Sequence, residues 1–214
     1  KKSDVEYKYK KQSGGHGQYG HVKMTFEPSG DMDTPYVFEQ TVVGGAVPKN
    51  FFPAVEKGIA ESVKKGPLAA YPVTGIKAVL YDGSYHPVDS SEMAFKVATQ
   101  QAFKKGIMEA KPVLLEPIAT LKVVVPEGYT GDVMGELNKR RARVMGMNPT
   151  DNGYQEIVAD IPYLELYGYN ATLRSMTSGS GTFSYEFARY EQAPDDVAAK
   201  QIEETASKLV EVEE

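Results

Sequence analysis

The chain has no cysteine among its 214 residues. This excludes disulfide bonds and thiolate zinc sites, and it is compatible with a reducing cytoplasm. Long apolar runs are missing too, since stretches such as Val123–Val125 and Ile157–Ala159 are only as long as short strands. The basic start lacks the apolar segment of a signal peptide. We therefore expect a soluble, cytoplasmic protein without a membrane partner.

Two common signatures of catalytic sites are also missing. No GxxxxGK[ST] string occurs, so the chain lacks the loop and lysine with which P-loop enzymes hold nucleotide phosphates. No HExxH string occurs, and His16, His21 and His86 are not spaced like the ligands of a metal site. We expect no catalytic residue, no metal and no other cofactor in this chain.

Negative charge is concentrated at the C-terminal end. A net charge of −5 would by itself argue against a nucleic-acid partner, because phosphate binding depends on clustered lysine and arginine. Residues 191–214 carry a charge of −6, which leaves +1 for residues 1–190. The overall charge therefore does not exclude an RNA partner for most of the chain.

The first half of the sequence predicts a mixed α+β domain. Residues 5–26 alternate between apolar and polar on both sides of the glycine-rich segment Ser13–Gln18, which predicts a hairpin with a long tip. A strand, a helix, a second strand and a second helix follow, and their predicted limits are Tyr36–Val43, Phe52–Val63, Val73–Tyr81 and Asp89–Glu109, with Asp89 as the cap of the last helix. Pro112 ends that helix, so the first domain spans 1–115.

The second half predicts a ferredoxin-like domain over 116–193. Its pattern is βαββαβ, with Asn152-Gly153 as a tight turn. The strands are predicted at Leu121–Val125, Val144–Met147, Ile157–Ile161 and Thr182–Tyr190, and the helices at Thr130–Arg141 and Leu164–Met176. In the last strand Phe183, Tyr185 and Phe187 should form a buried face. Residues 194–214 predict an amphipathic C-terminal helix.

Two groups of residues have more than one interpretation. His86 with Asp89 or Ser90 offers the residue types of an acid–base enzyme, although a helix cap requires the same residues and no GxSxG elbow is present. The basic cluster Lys139, Arg140, Arg141 and Arg143 fits either a solvated helix end or a phosphate-contacting surface.

Six motifs resemble the elongation factor G family, in order, over nearly the whole chain. They are Gln12–Val22, Gly66–Val73, Ser84–Phe95, Leu114–Ile118, Tyr129–Arg141 and Leu173–Gly179. The resemblance implies that the first domain is the family's fourth, shared in fold with a small-subunit ribosomal protein and containing a left-handed βαβ crossover. It implies that the second is the family's fifth, and that the C-terminal helix packs near the fourth. The family's GTP-binding domain and the two domains after it have no counterpart, so we expect a fragment, which the start at Lys1 favours, or a truncated gene product.

The resemblance implies a role on the ribosome. The parent protein would be a GTPase that binds GTP and Mg²⁺ in the missing part and promotes movement of tRNA and mRNA. As a monomer it would contact both ribosomal subunits. The tip of the fourth domain would contact tRNA and mRNA in the decoding centre through Ser13, Gly14, Gly15, His16, Gly17, Gln18, Tyr19, His86 and Pro87. The fifth domain would contact rRNA through Lys139, Arg140, Arg141 and Arg143.

Two positions depart from the family's pattern. His16 stands where many members have arginine, and Pro87 stands where an acid is common in some branches. A tetracycline-resistance-type ribosomal protection protein and a ribosome-recycling paralogue therefore stay open as alternatives. From another class, a free-standing α/β enzyme using His86 and Asp89 also stays open.

Overall fold

The computed structural model describes residues 1–210 and contains two compact units. The first comprises Lys1–Pro112 together with the chain from Asp196 onward, and the second comprises Val113–Asp195. Both contain a sheet and helices, so the predicted α+β class is confirmed. Within the described residues, no helix combines the length and the apolar character that crossing a bilayer requires.

The first unit is built on a four-stranded sheet. Its strands are β1 (Ser3–Lys11), β2 (Gln18–Pro28), β3 (Tyr36–Gln40) and β4 (Ile76–Ser84). They lie in the order β1-β2-β4-β3, and β2 is antiparallel to both of its neighbours. β3 and β4 are parallel and are connected through helix α1 (Phe52–Ser62), and helix α2 (Glu92–Glu109) follows β4. The predicted hairpin and both predicted helices are confirmed.

The core of the first unit lies between its sheet, mainly β2 and β4, and the helices α1 and α2. Val22, Met24 and Phe26 alternate along β2 and are fully buried, as the period of two in the sequence predicts. Gly106 on α2 lies directly against the Phe26 ring, where a Cβ atom would overlap the ring carbons. Because burial of a phenylalanine contributes about 1.5–3 kcal/mol, this glycine allows a contact that stabilises the whole unit.

Two strands differ in their limits from the prediction. β3 ends at Gln40 rather than Val43, because Gly44 and Gly45 turn the chain with φ values of 67° and 71°. β4 begins at Ile76 rather than Val73, because the Val73 amide donates to the Val63 carbonyl instead of to a strand. In both cases local turn geometry, rather than apolar character, sets the end of the strand.

The second unit has the predicted ferredoxin-like arrangement. Its strands are β5 (Leu115–Pro126), β6 (Arg143–Pro149), β7 (Tyr154–Pro162) and β8 (Thr182–Gln192), all antiparallel to their neighbours in the order β6-β7-β5-β8. Helices α3 (Thr130–Lys139) and α4 (Tyr169–Met176) contribute to one buried cluster with β5 and β7. Asn152 and Gly153 form the predicted turn between β6 and β7, with φ values of 65° and 76°.

Two predictions for the second unit are wrong. The helix expected over Leu164–Met176 is interrupted, because Gly168 has a φ of 71° and separates the single turn Tyr163–Leu166 from α4. The aromatic face of β8 is not buried, since the side chains of Tyr185 and Phe187 are each 52% exposed. β8 is an edge strand beside the short α4, and only Phe183 reaches the core cluster.

The C-terminal helix α5 spans Asp195–Thr205 and is followed by a single turn, Ala206–Leu209. From Asp196 onward it belongs to the first unit, where the Tyr71 hydroxyl donates to Gln201 Oε1 at 2.9 Å. The predicted helix of residues 194–214 is therefore shorter at its start and breaks at Ala206. Residues 211–214 of that prediction lie outside the described residues.

Tyr169 is a buried tyrosine whose hydroxyl has no hydrogen-bond partner within residues 1–210. Its ring packs against Phe183, with the ring centres 5.1 Å apart, and the Arg140 guanidinium lies 5.2 Å from the Tyr169 ring centre. Burial raises the pKa of Tyr169 to about 12. The ring stabilises the core, whereas the unpaired hydroxyl costs stability.

We expect Tyr169→Phe to increase the free energy of unfolding of the second unit by about 1 kcal/mol, because it removes a buried unpaired hydroxyl. The folded-state pKa of Tyr169 is raised, so the wild-type chain should lose stability as the pH rises from about 10 towards 12, where the unfolded state ionises first. The variant should lose less. Urea unfolding at neutral and alkaline pH measures both effects, with Tyr167→Phe at a 92% exposed position as the control. A variant less stable than the wild type would contradict this account.

Candidate functional site

Two loops of the first unit lie at the same end of its sheet. The loop Gln12–Gly17 connects β1 to β2, and the loop Tyr85–Ser91 connects β4 to α2. β2 lies between β1 and β4, and His21 near the start of β2 is paired with Ser84 at the end of β4. We call these two loops, together with Gln18 and Tyr19, the tip.

The backbone of Tyr19 joins the two loops. Its amide donates to the Asp89 carbonyl at 2.9 Å, and its carbonyl accepts from the Ser90 hydroxyl at 2.8 Å. The Ser90 hydroxyl also accepts from the His86 amide at 2.9 Å. These bonds bring His86 and the Gln18–Tyr19 segment together, as expected from the sequence, and the Tyr19 and His86 ring centres are 6.4 Å apart.

The His86 side chain is half-exposed, and its ring nitrogens have different roles. Nδ1 accepts hydrogen bonds from the backbone amides of Val88, at 3.2 Å, and Asp89, at 3.0 Å. In the neutral ring the proton is therefore on Nε2. Within residues 1–210, Nε2 has no hydrogen-bond partner, so His86 presents an N–H donor to its surroundings.

The expected helix cap at Asp89 is wrong, because Ser91 caps α2 instead. The Ser91 hydroxyl accepts from the Ala94 amide at 3.1 Å. The Asp89 carboxylate lies 3.6 Å from His86 Nδ1, beyond a good hydrogen bond, and Nδ1 has no proton to give it. The acid–base pair that an enzyme would need is therefore not formed by His86 and Asp89.

Gly17 and Gly20 allow the tip to pack closely. A Cβ atom at Gly17 would lie 2.7 Å from Asp89 Oδ2, and one at Gly20 would lie 2.5 Å from the Ala94 carbonyl oxygen. At Gly20 the neighbouring atoms are backbone, so no side chain fits there, whereas at Gly17 they belong to the Asp89 side chain. The start of α2 can approach β2 this closely because Gly20 has no side chain.

The remaining tip residues differ in exposure. Gln18 is half-buried, and its Oε1 accepts from the Tyr9 hydroxyl at 2.9 Å. Gly17 and Tyr19 are half-buried as well. The predicted contact residues that are exposed are Ser13, Gly14, Gly15, His16, His86 and Pro87.

Positive charge lies beside the tip, and it was not predicted from the sequence. Lys10 and Lys11 at the end of β1 are paired with Tyr19 and Gln18, and both lysines are exposed. The sequence does contain an indication of this charge, because lysines occupy positions 8, 10 and 11, just before the glycine-rich segment. Antiparallel pairing explains the placement, because a hairpin brings the residues on either side of its loop together.

Arg140 is not part of a free basic surface. Its Nε pairs with Glu136 at 2.9 Å, and its Nη1 donates to the carbonyls of Glu165, at 2.7 Å, and Tyr167, at 3.0 Å. Its Nη2 donates to Thr172 Oγ1 at 3.0 Å. These bonds connect the end of α3 to the segment before α4 and to α4 itself.

Arg141 also stabilises the second unit. It forms a two-pronged pair with Glu116, at 2.8 Å and 3.1 Å, and its Nε contacts Glu165 at 3.1 Å. Hydrogen bonds to Glu116 and then to Glu165 raise the pKa of Arg141, so it stays charged. Its φ of 55° is unusual for a residue with a side chain, and it belongs to the turn that ends α3, where the Ala142 amide donates to the Leu137 carbonyl at 3.0 Å.

The basic cluster therefore has two kinds of member. Arg140 and Arg141 form hydrogen bonds and ion pairs inside the second unit. These two residues therefore match neither the solvated helix end nor the open phosphate-contacting surface that the sequence suggested. Lys139 is exposed, and Arg143 is 70% exposed with a 3.3 Å contact to Asp160. Only these two side chains of the cluster have solvent-facing charge.

Comparisons with known proteins agree with the two units. The family model for elongation factor G domain IV matches residues 1–111, and the model for the elongation factor G C-terminus matches residues 113–201. An elongation factor G-like protein of Thermotoga maritima is 50% identical over 209 residues, which is 98% of this chain and 30% of that protein. A crystal structure of a Thermus thermophilus protein has a TM-score of 0.81 and 43% identity, and the match covers 97% of this chain and 31% of that one.

These matches place the chain among the translation elongation factors. Within that class, it belongs to the elongation factor G family. The chain spans about a third of the length of these relatives. The matched models describe domain IV and the C-terminus, and neither is a GTPase domain.

We expect Arg141→Ala to lower the free energy of unfolding of the second unit by about 2–4 kcal/mol, because it leaves Glu116 and Glu165 partly buried without their cation. Arg143→Ala removes a similar side chain at an exposed position, and we expect a change below about 0.5 kcal/mol. Urea unfolding of the two variants measures the difference. Equal effects would mean that the Arg141 contacts add nothing to stability.

Proposed function

We propose that this chain is the ribosome-binding part of an elongation factor G-type translocase, in which the tip contacts tRNA and mRNA while they move. The observation that carries the proposal is the joining of the two loops through Tyr19, which holds His86 with its Nε2–H exposed. Membership of the elongation factor G family supplies the ribosome as the partner.

The chemistry of the tip suits an RNA duplex. An imidazole N–H, exposed glycine amides and a half-buried aromatic ring can contact 2′-hydroxyls, phosphates and base edges. Lys10 and Lys11 add positive charge beside these groups, which favours a polyanion. The tip therefore combines directional contacts with a general attraction to RNA.

The second unit would contact ribosomal RNA of the large subunit. Lys139 and Arg143 supply the exposed charge for such contacts, whereas Arg140 and Arg141 act first as internal supports. In this proposal the protein acts in the cytoplasm as a monomer. GTP and Mg²⁺ are bound by another part of the longer protein, and this chain itself is not an enzyme.

The tip is tested by changing His86 to Ala in the longer protein of which this chain would form the C-terminal third. We expect tRNA–mRNA movement to slow by at least about tenfold, which corresponds to the loss of one or two hydrogen bonds in the transition state. Ribosome-dependent GTP hydrolysis should stay near its normal rate, because no group of the tip holds nucleotide. Stopped-flow measurements with labelled mRNA and with phosphate release follow the two steps.

Val88→Ala is the matched control, since Val88 lies in the same loop, is 68% exposed and gives only its backbone amide to His86. It should leave both rates unchanged. Loss of GTP hydrolysis together with movement in His86→Ala would point to a general binding defect. Normal movement, combined with activity in releasing tetracycline or splitting ribosomes, would favour a ribosomal protection or recycling factor.

The second unit is tested by Lys139→Ala with Arg143→Ala. We expect weaker ribosome binding and a shallower dependence of affinity on salt, by roughly one unit of log–log slope for each phosphate contact that the substitutions remove. Titration of ribosomes at several salt concentrations measures both. An unchanged affinity and slope would exclude these two side chains from the RNA contact.

A further inference from the structure

A chain of hydrogen bonds runs from the surface of the first sheet to the tip. Glu6 Oε1 lies 2.6 Å from His21 Nε2, and His21 Nδ1 lies 2.6 Å from Ser84 Oγ. Ser84 Oγ in turn lies 2.6 Å from the Tyr19 hydroxyl. The four residues come from β1, β2 and β4, and both nitrogens of His21 are used.

The chain of bonds has a direction. An ionised carboxylate only accepts, so His21 Nε2 donates to Glu6, and the hydrogen bond from His21 is the main cause that lowers the pKa of Glu6. In the neutral ring Nδ1 is then an acceptor, and it accepts a hydrogen bond from the Ser84 hydroxyl. Ser84 Oγ can consequently accept from the Tyr19 hydroxyl. Each of the three hydrogen bonds then has one donor and one acceptor. This fixes the tautomer of His21 and the orientation of the Ser84 and Tyr19 hydroxyls.

His21 is the one member of this set of four that is almost completely buried, with 6% of its surface exposed. The charged groups around it are Glu6 and Lys8 on β1, Lys23 on β2 and Asp82 on β4, and Lys23 and Asp82 pair with each other at 3.4 Å. A buried imidazole with both nitrogens bonded cannot rotate without breaking a bond. It is therefore a rigid support for Ser84.

We propose that His21 is a positioning residue for the tip: acting through Ser84, it fixes the Tyr19 ring and thereby the position of the two loops, one of which carries His86. The series of hydrogen bonds ends at Tyr19, and the backbone of Tyr19 joins the two loops. Tyr19 bonds to Asp89 and Ser90 through its main chain, so a fixed Tyr19 side chain limits the movement of both loops. The Tyr19 hydroxyl is engaged with Ser84 Oγ, whereas the Nε2–H of His86 has no partner within residues 1–210.

The importance of this support for RNA contact rests on the proposed function. The positioning of Tyr19 by His21 does not rest on the proposed function, because it can be measured in the isolated chain. Failure of the proposal can therefore be distinguished from failure of the translocase assignment.

The test compares two amide side chains at position 21. Asn Oδ1 overlaps the position of His Nδ1 and can still accept from Ser84, whereas Gln Nε2 overlaps His Nε2 and keeps only the bond to Glu6. We expect hydrogen exchange of the Tyr19 and His86 amides to be faster by about tenfold in His21→Gln and near normal in His21→Asn. Ser84→Ala should behave like His21→Gln. The Phe26 amide, near the end of β2 that is remote from the tip, reports whether the sheet itself is intact.

Tyr19→Phe repeats the test without touching the buried histidine, because it removes one oxygen from a half-buried ring. Faster exchange of the His86 amide in this variant, with unchanged exchange at Phe26, supports the proposal. Nitrogen NMR of His21 adds a direct signature, since the neutral Nε2–H tautomer is expected in the wild type and in Tyr19→Phe. Equal exchange in His21→Asn and His21→Gln, or a protonated Nδ1 in the neutral wild-type ring, would overturn the proposal.

Discussion

The tip depends on the close approach of helix α2 to strand β2. Gly20 lies so near the Ala94 carbonyl that no side chain fits between the helix and the strand. This contact brings the loop before α2 alongside Tyr19, where Asp89 and Ser90 bond to its backbone. The exposed Nε2–H of His86 follows from the same arrangement, because the turn at Val88 and Asp89 directs two amides to Nδ1. The close contact at Gly20 thus helps to determine that the tip presents the Nε2–H of His86 at its surface.

Much of the architecture could be predicted because it follows from local periodicity. The alternation of Val22, Met24 and Phe26 predicts a half-buried strand, and Asn152-Gly153 predicts a tight turn, and both are present. The errors arise where a neighbour distant in sequence decides the outcome. Tyr185 and Phe187 alternate like core residues, yet they are exposed because they lie on an edge strand beside a short helix. No pattern within β8 contains that information.

The candidate site was predictable in part for the same reason. The resemblance to a family assigned His86 and the glycine-rich loop to one tip, and the structure places them together. The basic cluster was harder, since four cations close in sequence suggest an open surface. Glu116 and Glu165, which neutralise Arg141, lie 25 and 24 residues away from it on either side in the sequence. Their pairing appears only when β5 and the segment before α4 meet the end of α3.

The arginines of the second unit and the lysines beside the tip have different roles. The planar guanidinium offers several donors in a fixed arrangement, and Arg140 and Arg141 use them inside the second unit, Arg141 in a two-pronged pair with Glu116. The exposed positive charge beside the tip belongs to lysines, which attract a polyanion without selecting a geometry. Directional contacts at the tip fall instead to hydrogen-bonding groups, above all His86 Nε2. The hydrogen bonds around Tyr19 limit the movement of the loop that carries His86, and they give its Nε2–H donor a defined position.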